Sequence, residues 1–238
     1  MRIPFKVGNT VVTAEVFERG DASPTMLNVH DDENTSVAAG QTIIEQTGGR
    51  LIALRHSGKR HVRFHLDGSR YAFDPNRIFS DDGIRATLEQ QGNYSEAAHQ
   101  TVKRFAAQYL ECFALDREAI IFALHNTVDE TFSVRSYLPG ADHATAAAKV
   151  HVSEQRSPFD FFYVTDPRFF GHLTQHNFNV VLQDNTTVPD DGSMSVHFAR
   201  QEIPYLNIEA EMDHLNAQID MVRAAREMMD ELGLAKTK

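Results

Sequence analysis

The chain holds one cysteine, Cys112, among 238 residues. That excludes an intramolecular disulfide framework and any zinc site built on cysteines. Cys112 lies in residues 106–113, a stretch with helical character, where a buried structural thiol is a more natural expectation than a nucleophile. Basic residues are also short, 23 Lys and Arg against 33 Asp and Glu, for a formal charge of -10. A general nucleic-acid binder normally shows a basic excess, so no nucleic-acid partner is expected. The deficit still allows a local cationic pocket for an anionic substrate. No apolar run approaches the roughly 20 residues of a membrane span, and residues 1–6 lack the apolar core of a signal peptide. The expectations are no membrane association and a cytoplasmic location. Internal repeats, low-complexity segments and linker-like stretches are missing too.

What is present is ordinary for a soluble globular chain: 42% hydrophobic and 24% charged residues. The length suits one substantial core. Val11, Val12, Ala14 and Val16 suggest an edge strand or hairpin. Residues 25–29 read as a short buried strand, 37–46 as a helix stopped by Gly48-Gly49, and 51–54 as a second buried strand. Residues 61–66 alternate polar and apolar, and Asp67-Gly68 marks a hairpin turn. Ser80-Asp81-Asp82 can cap a helix, and 96–115 is the longest helical pattern, with Val102, Phe105, Ala106, Tyr109, Leu110 and Phe113 at spacings of three and four. Further apolar runs at 119–124, 159–163, 178–182 and 204–211 precede a closing amphipathic helix at 214–232, for which Asp213 suits the cap. Alternating helices and strands favour one α/β domain over 1–234, with 235–238 a disordered tail.

Three features carry chemistry. The strand at 25–29 stops at His30, turns, and presents Glu33 three residues later, so both side chains can reach one metal ion. Imidazole and carboxylate are ordinary zinc ligands, and a catalytic zinc takes three protein ligands plus a water. A second apolar run ends at His125, the best candidate for the third ligand. In open α/β sheets, ligands collect outside the carboxyl ends of strands. The bland alternative for the first pair is a polar turn. Next, Asn76-Arg77 offers a guanidinium fork and an amide suited to a carboxylate; a salt-bridged loop arginine is the alternative. Last, Glu209 sits between apolar neighbours, where its pKa could rise and suit a general base. Glu211 points to the same face and is its rival.

In order, His30-Asp31-Asp32-Glu33, Asp74-Pro75-Asn76-Arg77-Ile78-Phe79, Leu124-His125-Asn126-Thr127 and Ile208-Glu209-Ala210-Glu211 resemble the zinc carboxypeptidase superfamily. That superfamily includes the M14 metallocarboxypeptidases and the succinylglutamate desuccinylase/aspartoacylase enzymes. The resemblance implies a mixed, twisted central sheet flanked by helices. It implies one zinc ion per chain on His30, Glu33 and His125, a substrate carboxylate on Asn76 and Arg77, and Glu209 as base. A further arginine would polarise the scissile carbonyl; Arg63 is the candidate, with Arg60 the other possibility. The tyrosine that closes on the substrate in digestive-type carboxypeptidases has no equivalent motif. The expected partner is a small peptide, or else an N-acyl amino acid. A non-catalytic binding protein on the same scaffold is the reading from another class.

Overall fold

The computed structural model describes residues 1–21 and 23–234. The expected disordered tail, 235–238, lies outside the described residues. β1 (Arg2–Val7) and β2 (Thr10–Arg19) form the expected hairpin. β3 (Thr25–Asn28), α1 (Asn34–Thr47) and β4 (Gly49–Arg55) make a parallel strand–helix–strand unit. β5 (Val62–Leu66) and β6 (Ser69–Phe73) pair apart from the main sheet. Their turn holds Asp67 at φ 50° and Gly68 at φ 79°, the two positive φ values that a tight hairpin turn requires. There follow α2 (Asp81–Gln90), α3 (Glu96–Phe113), β7 (Ile121–Thr127), β8 (Ala147–His151) and β9 (Phe161–Val164). The chain closes with α4 (Pro167–Gln175), β10 (Asn179–Gln183), α5 (Met194–Arg200), β11 (Tyr205–Glu211) and α6 (Leu215–Glu231).

Among the described residues, nine strands form one mixed sheet in the order β1-β2-β4-β3-β7-β11-β9-β10-β8. Its centre, β4-β3-β7-β11, is parallel, so both faces must be covered and the strands read as continuous apolar runs. Successive residues of β7 show the consequence. Ile121 and Ala123 join the core under α2, α3 and α5, while Phe122 and Leu124 join the core under α1, α4 and α6. This parity places His125 on the first face. The same count puts Tyr205, Asn207 and Glu209 of β11 there too, with Glu209 directly opposite His125 in the register. Two residues 84 positions apart thus become neighbours because two buried strands run parallel and in phase.

Some local expectations give way. Cys112 is exposed on α3, not buried, because the apolar stripe of that helix falls on Tyr109 and Phe113 instead. Asp213 does not cap α6; it takes φ 71°, and the helix starts after His214 without a side-chain cap. The edge strand β8 is half-exposed and has no clear alternating pattern. The short helix α4 does carry a start signal, an Asp166 side-chain cap followed by Pro167. Among the described residues no helix is long and apolar enough to cross a membrane.

Candidate metal centre and active-site cavity

Beyond β3 the chain runs through Val29 to His30 and turns. The Glu33 N–H donates to the His30 carbonyl at 3.2 Å, which closes the turn and brings both side chains to one side. Helix α1 begins at Asn34, three residues before the apolar pattern, so Glu33 occupies its cap position. Neighbouring strands pin this geometry. Asn28 Nδ2 donates to Ser36 Oγ at 2.8 Å, Ser36 Oγ donates to the Glu33 carbonyl at 2.8 Å, and the Ser36 N–H reaches Asn126 Oδ1 on β7 at 2.7 Å.

Three side chains converge there. His30 Nδ1 lies 2.7 Å from Glu33 Oε1 and 3.1 Å from His125 Nδ1, and His125 Nδ1 lies 3.0 Å from Glu33 Oε2. All three residues are buried. Atoms bound to one tetrahedral ion at about 2.0–2.2 Å would sit roughly 3.3 Å apart, so these need to spread by only about half an ångström. Two imidazoles and a carboxylate without a thiolate form a donor set that fits a borderline divalent cation.

The outer side of His30 is also occupied. Its Nε2 donates to Asp74 Oδ1 at 2.8 Å, and the same oxygen accepts the Asn76 N–H at 2.8 Å. A carboxylate behind a ligating imidazole fixes its tautomer and makes it more basic. Burial alone would lower the His30 pKa, but the Glu33 and Asp74 carboxylates prevail and raise it to about 9. Burial would raise the two acids, yet His30 with His125 holds Glu33, and His30 with Arg60 holds Asp74, well below the carboxylate range. Asp74 opens the Asp74-Pro75-Asn76-Arg77 segment, where sequence reasoning gave it no role. The contact to His30 is invisible without the fold.

The arginine beside this cluster is Arg60. Its Nη1 donates to Glu33 Oε1 at 2.9 Å, and its Nε lies 3.5 Å from Asp74 Oδ2. Arg63 is the correction: on β5 the buried residues are Val62 and Phe64, so Arg63 faces solvent and is exposed, and it does not line the cavity. The loop carrying Arg60 is fastened by Asp31, whose Oδ2 accepts the N–H groups of His56, Ser57 and Gly58 at 2.7, 2.7 and 2.6 Å. Burial would raise the Asp31 pKa, but these donors and Arg55 hold it below the usual value. Asp31→Ala is expected to lower stability by about 1–3 kcal/mol in urea unfolding of metal-free protein. The carboxylate stabilises the fold above its unfolded pKa of about 3.9, and that contribution is lost as pH falls through the lower folded value. The gap between parent and variant should therefore close in acid. A gap unchanged between neutral pH and about pH 3 would count against this role for the charge.

Across the cavity, Asn76 Oδ1 accepts the Met194 N–H at 3.2 Å, which leaves its donor end available. Arg77 Nη1 donates to the Asn76 carbonyl at 2.9 Å, and its Nε stands 3.6 Å from Asp191 Oδ2. Close backbone packing sets this corner. A Cβ on Gly83 would come within 2.4 Å of Gly192, which itself has φ +72°, so both positions require glycine. Glu209 is buried, and Asn207 Nδ2 donates to its Oε2 at 3.2 Å. Burial, joined by the Glu33 charge, raises its pKa despite His125 and Asn207. Glu211, its rival, lies at the half-exposed strand end, 3.3 Å from His214.

These groups share one cavity of about 660 Å³. Its lining includes Glu33, His125, Arg60, Asn76, Arg77 and Glu209, together with the rings of Phe132, Tyr137, His143, Tyr163 and Tyr205. The aromatic lining was not read from the sequence. Phe132, Tyr137 and His143 come from the irregular segment between β7 and β8, where no periodicity marks them.

No family model and no curated protein sequence matches the chain. Solved structures with similar folds include a candidate succinylglutamate desuccinylase/aspartoacylase family protein from Shewanella amazonensis. It has 12% identity and a TM-score of 0.46, with 100% of this chain and 74% of that one covered. A candidate metallopeptidase from Shewanella baltica gives 11% identity and a TM-score of 0.46, covering 97% and 86%. The tripeptide-bound cell shape determinant Csd4 from Helicobacter pylori gives 10% identity and a TM-score of 0.45, covering 94% and 57%. At this level of identity and overlap the likeness carries no argument about activity, which rests on the site itself.

Proposed function

We propose that the chain is a zinc-dependent hydrolase that cleaves an amide bond next to a carboxylate-bearing residue, acting as a metallocarboxypeptidase-like peptidase. What supports this is one arrangement: a buried His–Glu–His cluster, a separate buried carboxylate on the adjacent strand, and a half-exposed arginine across the same cavity. When bound, the ion would act as a Lewis acid on the carbonyl and lower the pKa of the attacking water towards about 7. Glu209 takes that water's proton and delivers it to the leaving nitrogen; its raised pKa suits both transfers. Arg77 and Asn76 hold the terminal carboxylate, which sets which amide bond faces Glu209. Arg60, beside Glu33, presents a guanidinium towards charge developing on the carbonyl oxygen.

Elemental analysis of dialysed, tag-free protein beside His125→Ala tests the metal. Near one zinc per chain in the parent and none in the variant is expected. No tightly held metal in either, even after zinc is added back, would sink the reading and leave the scaffold a binding protein. Hydrolysis of a small peptide should then exceed that of an N-succinyl or N-acetyl amino acid. The opposite order would identify a deacylase using the same residues.

A further inference from the structure

The apolar layer between the sheet and helices α1 and α6 holds polar side chains where packing alone would take hydrocarbon. On α6 the buried stripe is Gln218, Met221, Val222, Ala225, Met228 and Met229, at helical spacings of three and four. Gln218 is its one polar member and is fully buried. β11 ends at Glu211 and α6 begins at Leu215, so the first helical turn, which includes Gln218, stands over the strand ends. Asn28 on β3, Ser36 on α1 and Asn126 on β7 are buried as well. Strand parity turns Asn28 and Asn126 to this face with Met26 and Leu124, away from the cavity face that His125 and Glu209 occupy.

Every side-chain donor of these four residues goes to a backbone carbonyl or to the next member. Gln218 Nε2 donates to the His125 carbonyl at 2.9 Å and to the Ile208 carbonyl at 3.2 Å. Its Oε1 accepts from Asn126 Nδ2 at 2.9 Å. Asn126 Nδ2 also reaches the Ala210 carbonyl at 3.4 Å, while its Oδ1 takes the Ser36 N–H. From Ser36 the network continues to the Glu33 carbonyl and to Asn28, whose Nδ2 donates to the Leu124 carbonyl at 3.2 Å. The accepting carbonyls carry the meaning. Those of His125 and Ile208 belong to the peptide units beside a candidate metal ligand and beside the candidate base, and that of Glu33 belongs to a second ligand. One connected network thus grips the backbone of three residues whose side chains meet on the other side of the sheet.

We propose that Gln218 is a positioning residue for the site. Its amide sets the separation of His125 from Glu209 and, through Asn126 and Ser36, the placement of Glu33. The inference rests on the proposed roles of the His–Glu–His cluster as metal centre and of Glu209 as base. Such groups must be held to within about 0.5 Å, and a misplacement of about 1 Å can cost 100-fold in rate. Parallel strands can splay at their ends; an amide bonded to a carbonyl of each opposes that motion.

Gln218→Met tests this, because it nearly conserves volume and helix propensity while removing both donors and the acceptor. Zinc affinity is measured by competition with a chromophoric chelator, and kcat and KM on a peptide that the parent cleaves. Zinc should bind about tenfold more weakly and kcat should fall at least about tenfold, with KM within about threefold of the parent. Val222→Ala, on the same buried stripe but outside the network, should lower stability and leave zinc affinity and kcat within about twofold. Ser36→Ala removes only the hydroxyl that holds the Glu33 carbonyl and should weaken zinc about threefold to fivefold, the order of one lost hydrogen bond. If Gln218→Met does not fold, Ser36→Ala decides alone. Zinc affinity and kcat unchanged in Gln218→Met, an equal loss in Val222→Ala, or unchanged zinc affinity in Ser36→Ala would overturn the proposal. Failure of the hydrolase reading would show in the parent itself: zinc binding without turnover leaves the affinity comparison to decide the role of Gln218, and a parent that binds no zinc overturns both.

Discussion

Glu209→Gln is expected to bind metal as the parent does and to lose about 10²–10⁴-fold in kcat. The substitution preserves volume and leaves an oxygen to accept the 3.2 Å bond from Asn207, so the strand and its neighbour stay in place. What is lost is the ability to take a proton. Because Glu209 is outside the three-ligand cluster, metal content should not change, and KM should move little if Arg77 and Asn76 carry binding. Folding should not suffer either. A buried acid with a raised pKa is less comfortable ionised in the folded state than in the unfolded one. Its charge therefore opposes folding at neutral pH, increasingly so as pH rises through the raised value. The matching control is Glu211→Gln, at a half-exposed position beside His214, where kcat should stay within about threefold of the parent. Retained turnover in Glu209→Gln, or a large loss in Glu211→Gln, would exchange their roles.

The sequence made the convergence of the three candidate ligands legible for a physical reason. His30 and His125 both follow apolar runs, and runs that are apolar throughout belong to central parallel strands whose ends share one edge of the sheet. The same logic made Glu209 legible as a residue but not as the neighbour of His125. That adjacency depends on β11 lying beside β7 in register, and strand order is not written in local pattern. Arg60 and Arg63 show the limit from the other side. Alternation along β5 already turns Arg63 outwards with His65, so strand parity could have excluded it. Choosing Arg60, however, required the turn that Asp31 ties down from a distant loop. Asp74 and the aromatic lining were hidden more completely, since their roles arise from contacts between segments far apart in the chain.

The second large effect expected is on metal affinity, which should rise about tenfold for each pH unit below about pH 9. In the metal-free cluster His30 is held protonated up to about 9 by Glu33 and Asp74. Its Nδ1 faces Glu33 Oε1 and His125 Nδ1, the point where an ion would sit, while Nε2 is engaged with Asp74. The Nδ1 proton must leave before that nitrogen can bind metal, so proton and metal compete for one site. Displacing one proton gives about 100-fold tighter binding at pH 8.5 than at pH 6.5. The same raised pKa acts in the opposite direction on the metal-free fold. The ion pairs of His30 stabilise it fully below the unfolded pKa of about 6.5, and this contribution fades as pH rises towards 9. Metal-free protein should therefore become less stable over the window in which metal binding tightens. Asp74→Asn separates the causes. Removing that charge lowers the His30 pKa, so the affinity should level off at a lower pH. Losing the anionic acceptor behind the ring should also weaken binding about 10–100-fold at high pH. Competition titrations with a chromophoric chelator at several pH values measure both quantities. An affinity independent of pH in the parent would show that no proton is displaced from His30, and the cluster would then have to bind its metal through other atoms.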